Sequence, residues 1–275
     1  VQLHYLLVVY PIVLFSLLIG ACFGSFLNVV IYRVPRNISV IFPRSKCLKC
    51  NKQIKWFDNI PLLSWIILNG KCRYCKRNIS FQYPLVETTT ALFFLLCNYA
   101  SPYPIINNSK GFVLIAGWIF VSLLLSLSII DIKTFLLPEK IIRTGMASGF
   151  IIILINSFNF SFTYSLKYLF SHLTAATIGF LGFEILRILA TAILRKPAMG
   201  QGDSKLASLL GLWLGIKGLG LSVYIAFVIS GFLAIIALFL KIIKPGQKIP
   251  FGPFLSLGGL VVWYFGINNL LRIIF

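Results

Sequence analysis

Residues Gly111 to Asp131 read GFVLIAGWIFVSLLLSLSIID. Twenty uncharged residues end in a carboxylate. As an α-helix rising 1.5 Å per residue they measure about 30 Å, the hydrocarbon thickness of a bilayer. The run therefore predicts a transmembrane helix. The acid at its end needs a reason, because a carboxylate beside hydrocarbon is costly. Working outward, the pattern recurs. Residues 5–32 carry no charge, and further apolar segments run over 84–100, 141–156, 168–194, 204–216, 219–240 and 252–274. The expected fold class is an all-α polytopic membrane protein with about eight transmembrane helices. Composition agrees: of 275 residues 59% are hydrophobic and 11% charged, against about 25% charged in soluble domains. The mean hydropathy is +0.93. A disordered chain, a coiled coil and an ordinary cytosolic enzyme are excluded.

The first apolar segment is too long for the core of a signal peptide and follows no basic stretch, so it is expected to remain as span 1. The chain carries 25 Lys and Arg against 6 Asp and Glu. In a soluble protein that excess would point to nucleic acid. Here it sets sidedness instead, and no nucleic-acid partner is expected. With eight alternating spans, nineteen basic residues fall in or beside loops on one side and four on the other. The basic side is the cytoplasmic one. The basic loops are expected to meet anionic membrane lipids.

On this topology Asp131 closes span 3 and Asp203 opens span 6, at the same depth and on the cytoplasmic side. Two carboxylates brought together cannot both ionise cheaply. One keeps a proton and polarises a carbonyl, while the other activates water, the division of labour of aspartic proteases. Asp203 follows Gly200-Gln201-Gly202, where glycines permit close approach, and a helix-forming stretch follows it. The plainer reading is an Asp capping a helix; the second aspartate at matched depth argues against it. Glu139 is expected to mark the water interface beside Lys133 and Lys140, and Glu184 to pair with Arg187 along one helix. Glu87, early in span 2, is an interfacial helix-start acid or a pocket residue, the former slightly favoured. Pro250-Phe251-Gly252-Pro253 is either a helix entry or a wall near the aspartates. A proton-coupled transporter is the alternative from another class, since intramembrane acids also relay protons.

Cys47-x2-Cys50 and Cys72-x2-Cys75 lie 21 residues apart in one basic loop. That spacing suits a four-cysteine structural zinc site. Disulfides are disfavoured in a reducing cytoplasm. Cys22 and Cys97 read as small buried apolar residues. Ile60–Leu68 is apolar but too short to cross a bilayer, so it is expected to pack on the membrane surface or on the bundle. No internal repeat is evident, and no glycine-rich nucleotide fingerprint marks a cofactor site.

Several stretches together resemble the prepilin peptidases, the type IV leader peptidase family of GxGD membrane aspartic proteases. They are Gly24-Ser25-Phe26-Leu27-Asn28, both CxxC pairs, Asn59-Ile60-Pro61-Leu62-Leu63-Ser64-Trp65, Tyr83-Pro84-Leu85-Val86-Glu87, Asp131 with Leu137-Pro138, Gly200-Gln201-Gly202-Asp203, and Pro250-Phe251-Gly252-Pro253. The family typically has Asp where this chain has Glu139. The resemblance implies that Asp131 and Asp203 are the catalytic pair. It implies cleavage of the leader of type IV prepilins or pseudopilins after a Gly, at the cytoplasmic face of the bacterial inner membrane. Bifunctional members then methylate the new amino terminus with S-adenosylmethionine, and the cysteine loop is linked to that activity. The implied organisation is span 1 over 1–32, a methyltransferase-associated loop over 33–83, and a peptidase core over 84–275.

Overall fold

The computed structural model describes residues 10–100, 102, 109–195, 200–244 and 247–274. The start of the first expected span, most of the turn at 101–110, and Lys196-Pro197 lie outside the described residues. Among the described residues eight α-helices of eight residues or more carry the fold, and no strand occurs. They are α1 (Tyr10–Arg33), α2 (Gln82–Leu96), α3 (Lys110–Thr134), α4 (Glu139–Ser157), α5 (Phe162–Leu194), α6 (Gln201–Phe239), α7 (Gly252–Phe265) and α8 (Ile267–Ile274). The chain forms two compact units, residues 1–99 and 100–275.

In the first unit α1 and α2 lie side by side. Gly20 and Gly24 fall one turn apart on the same face of α1. A Cβ on Gly20 would lie 2.6 Å from the Ala91 Cα, and one on Gly24 2.6 Å from the Glu87 Cα. Only glycine admits so close a crossing, the small-xxx-small device of membrane helices. Residues 34–81 fold between the helices as an irregular lobe. Arg33 organises its start by donating to the carbonyls of Ser39, Val40 and Pro43 at 2.9, 3.3 and 2.7 Å. Within the apolar stretch a short helix, Leu63–Ile67, leaves Leu63, Ile66 and Ile67 exposed. Cys97 is buried as expected, but Cys22 is exposed on α1.

In the second unit α3, α4, α6 and α7 meet at a core of Phe120, Trp213 and Trp263, each at most 1% exposed. Phe120 stacks on Trp213 with centroids 4.8 Å apart, and Trp263 closes the trio at 5.2 and 6.0 Å. The Trp213 indole donates to the Gly145 carbonyl at 2.9 Å, and Gly149 leaves room for its ring.

Among the described residues five helices are long and apolar enough to cross a membrane, six if α7 and α8 count as one bent span. The expected count of about eight spans is not reached among the described residues, and three places account for the difference. α2 has 15 residues, about 22 Å, which is short of the bilayer core. α6 has 39 residues where the sequence suggests two spans. It breaks at Gly215, whose φ of 69° and ψ of −178° suit glycine alone. The break is sharp. A straight helix would separate residues 207 and 219 by about 18 Å. Yet a Cβ on Gly179 would sit 2.7 Å from the Ala207 carbonyl oxygen and 3.1 Å from the Leu219 side chain. At the break His172 Nδ1 lies 2.7 Å from the buried Leu212 carbonyl. The last segment bends by 105° at Gly266, leaving α8 as a short amphipathic helix that buries Ile267 and Leu270. The turn expected over 156–167 is shorter, because α5 begins at Phe162.

Candidate active site and metal centre

The second unit brings the two predicted aspartates together. Asp131 lies in the last turn of α3, which stops at Phe135, a left-handed residue whose N–H bonds the Asp131 carbonyl at 2.9 Å. Asp203 is the third residue of α6, so Gly200 rather than Asp203 occupies the cap position. Both side chains are buried, at 5% and 9% exposure. Gly202, next to Asp203, and Gly252, which touches Asp131, both pack on Leu137.

Glycines and one leucine produce this approach. A Cβ on Gly202 would lie 2.8 Å from the Leu137 Cβ. A Cβ on Gly252 would lie 2.6 Å from Asp131 Oδ2 and 3.5 Å from the same leucine. Leu137 is thus the wedge between the starts of α6 and α7. The Gly252 N–H donates to Asp131 Oδ2 at 3.0 Å, which leaves Oδ1 free of that bond. The proline-rich entry of α7 therefore does border the acids, and its Phe251 packs on Phe183 and Phe227. Ion pairs brace the turn carrying Asp203. Lys205 meets Glu139 at 2.6 Å, tying α6 to α4. Ser204 donates to Glu184 at 3.1 Å, and Arg187 donates to the other oxygen of that glutamate. Glu184 is thus more than the expected intrahelical pair, and Glu139 finds Lys205 and Arg143 at its side chain.

The first unit gathers Cys47, Cys50, Cys72 and Cys75 with all Sγ atoms within 4.8 Å of one another. Cys47 and Cys75 are 3.9 Å apart, and all are free thiols. Tetrahedral Zn–S bonds of 2.3 Å imply sulfur separations of about 3.8 Å, so the cluster fits a zinc ion. Its electrostatics point the same way. Burial pushes the Cys47 thiol up, but N–H groups of Cys50 and Lys49 and the neighbouring thiols bring it down to about 7. The Lys52 N–H favours the Cys50 thiolate, yet burial and the thiols of Cys47, Cys75 and Cys72 drive it up to about 11. Several thiolates at one point need a cation to coexist.

The two knuckles repeat one structure at an offset of 25 residues, an internal repeat not recognised in the sequence. Lys46 bridges Gln53 as Lys71 bridges Asn78. The Cys47 N–H bonds the Lys52 carbonyl and the Cys72 N–H the Arg77 carbonyl, both at 2.9 Å. Asn51 and Lys76 take the matching left-handed positions, with φ of 57° and 55°. Asp58 joins the lobe to the second knuckle through two-point bonding from Arg73, whose guanidinium holds the carboxyl below its usual range.

Beneath the knuckles lies a cavity of about 590 Å³ whose wall includes Glu87. Glu87 is 6% exposed and accepts from the Leu62 N–H at 2.8 Å. It is therefore a pocket residue, not the interfacial acid the sequence slightly favoured. The one available signal was the Gly20/Gly24 pair, which requires some helix to lie against that face of α1.

Comparison with known proteins agrees with this geometry. A family model described as the bacterial peptidase A24 N-terminal domain matches residues 18–101, and one described as the type IV leader peptidase family matches 118–239. A prepilin leader peptidase/N-methyltransferase of Stutzerimonas stutzeri is 33% identical over 277 residues, covering 92% of this chain and 91% of that one. The type 4 prepilin-like proteins leader peptide-processing enzyme of Escherichia coli is 36% identical over 264 residues, 89% of this chain and 91% of that one. A prepilin leader peptidase/N-methyltransferase of Myxococcus xanthus is 35% identical over 205 residues, 74% of this chain but 57% of that one. No solved structure matches the chain. The two family models and the near full-length relatives place the chain in the type IV leader peptidase family.

Proposed function

We propose that this integral membrane enzyme removes the leader of type IV prepilins or pseudopilins with Asp131 and Asp203, and then methylates the new amino terminus. The observation that carries the first activity is the convergence on Leu137 of the turns that hold two buried carboxylates, 72 residues apart in sequence. The pair shares one proton. The protonated acid polarises the scissile carbonyl, and the other takes a proton from water as it attacks. The Gly252 N–H fixes Asp131, and the pairs at Ser204 and Lys205 fix the turn carrying Asp203. The reaction needs water, which favours the cytoplasmic interface of the inner membrane. Basic loops there would draw anionic headgroups.

The names of the relatives support the second activity. S-adenosylmethionine supplies an electrophilic methyl group when bound. The four cysteines would hold zinc, which closes the lobe and leaves no coordination position for water. On this reading residues 33–83 serve methylation and the helices from α3 onward serve cleavage. Coexpression with a prepilin, read by leader removal on a gel and by mass of the mature amino terminus, tests both. Unprocessed prepilin beside the wild-type enzyme would refute the first activity, and a processed but unmethylated product the second.

A further inference from the structure

Cleavage leaves the cavity of the first unit unused, yet three separate stretches of sequence converge on it. Gly24 brings α1 against Glu87, and Ser25 lines the cavity beside it. From the lobe, Leu62 offers its N–H to Oε2. Leu62 takes φ 61° and ψ −52°, with the Leu63 N–H bonding the Pro61 carbonyl at 2.6 Å, a γ-turn centred on a leucine. That conformation is strained, and its surroundings must hold it. Three residues on, Trp65 lines the same cavity, and its buried indole N–H has no acceptor. Among the described residues no Lys or Arg pairs with Glu87.

An enclosed carboxylate with one neutral donor and no cation is half of an interaction. Methyl transfer to an amine brings two cations to one place, the sulfonium of the donor and the α-ammonium of the acceptor. The cavity volume lies in the range of cofactor sites, and Trp65, Tyr74 and Tyr83 give it faces that suit a purine. We propose that S-adenosylmethionine and the new amino terminus meet in this cavity, and that Glu87 receives the α-ammonium and takes one proton from it. The proposal rests on the methylation reading above. The freed nitrogen lone pair then forms the N–CH3 bond as the S–CH3 bond breaks. The bonding pair leaves with sulfur as a neutral thioether. The product is a secondary ammonium, and Glu87 later returns its proton to water.

The test uses the full-length, zinc-loaded protein in detergent. S-adenosylhomocysteine binding is measured by calorimetry for wild type, for Val29→Trp, which fills the cavity from α1, and for Glu87→Gln, which keeps the acceptor for Leu62. Val29→Trp should weaken binding at least tenfold. Glu87→Gln should bind within threefold of wild type but methylate cleaved pilin at least a hundredfold more slowly. Zinc content and melting midpoint report whether each variant is folded. Independently of any variant, ultraviolet cross-linking of labelled S-adenosylmethionine to the wild-type protein should mark peptides within residues 24–87. Label confined to residues 100–275, or normal methylation by Glu87→Gln, overturns the proposal alone. A wild-type protein that neither binds nor methylates overturns the methylation reading together with it.

Discussion

Gly252→Ala puts a methyl group where Asp131 has one of its two oxygens. The added Cβ would stand 2.6 Å from Oδ2. Ordinary contact begins at 3.4 Å, so the carboxylate must retreat by about 0.8 Å. Retreat also stretches the 3.0 Å bond from the Gly252 N–H. The backbone cannot yield in its place, because Gly252 opens α7 and the next residue is Pro253. A misplacement near 1 Å costs on the order of a hundredfold in rate, about 2.7 kcal/mol of barrier. We therefore expect kcat/KM for leader cleavage to fall about a hundredfold. Stability should not fall with it, since alanine is the better helix former. The assay is leader release from a prepilin by purified enzyme in detergent micelles, with melting midpoint measured alongside. Gly182→Ala is the control, because a Cβ there meets nothing within 4 Å. Cleavage by Gly252→Ala within threefold of wild type would refute the assignment of Asp131 to the reacting pair.

Asp131→Asn and Asp203→Asn should each abolish leader cleavage while the protein still inserts in membranes; full cleavage by either purified variant contradicts the shared-proton mechanism. Metal analysis should find one zinc per chain, and Cys72→Ser or prolonged chelation should open residues 45–79 to protease. Resistance of that segment after complete metal loss would show that the thiols pack without an ion. Gly215→Ala forces a side chain into a positive-φ position and should cost about 1–3 kcal/mol. Thermal unfolding in detergent measures it, and an unchanged midpoint would mean the break at Gly215 is not required.

Much of the site was legible because membrane insertion reduces a three-dimensional question to one of depth. Asp131 and Asp203 could be paired by counting spans, without knowing how the helices pack. The segment Pro250–Pro253 was visible as a helix entry or a wall, but the bond from Gly252 was not, since it is made by a backbone N–H and carries no side-chain signature. Glu87 was misjudged for a related reason. Its place early in a helix is visible in the sequence, whereas the strap that encloses it depends on an unusual φ at Leu62. The bends at Gly215 and Gly266 were hidden because glycine is common in membrane helices, and only packing shows which ones turn the chain. The knuckle repeat escaped because only Lys, two Cys and Ile recur by identity; two more positions match by residue class, Lys52 with Arg77 and Gln53 with Asn78, and three do not match.

The donor that steadies Asp131 belongs to the peptide chain itself. Every amino acid but proline would supply the same N–H at position 252. A compound that bridges the two acids and leans on this fixed dipole would confront a target with few routes to drug resistance. Changes that spare the dipole must crowd the carboxylate, and on the proposed mechanism a proline that removes it would loosen the enzyme's own grip on the attacking water.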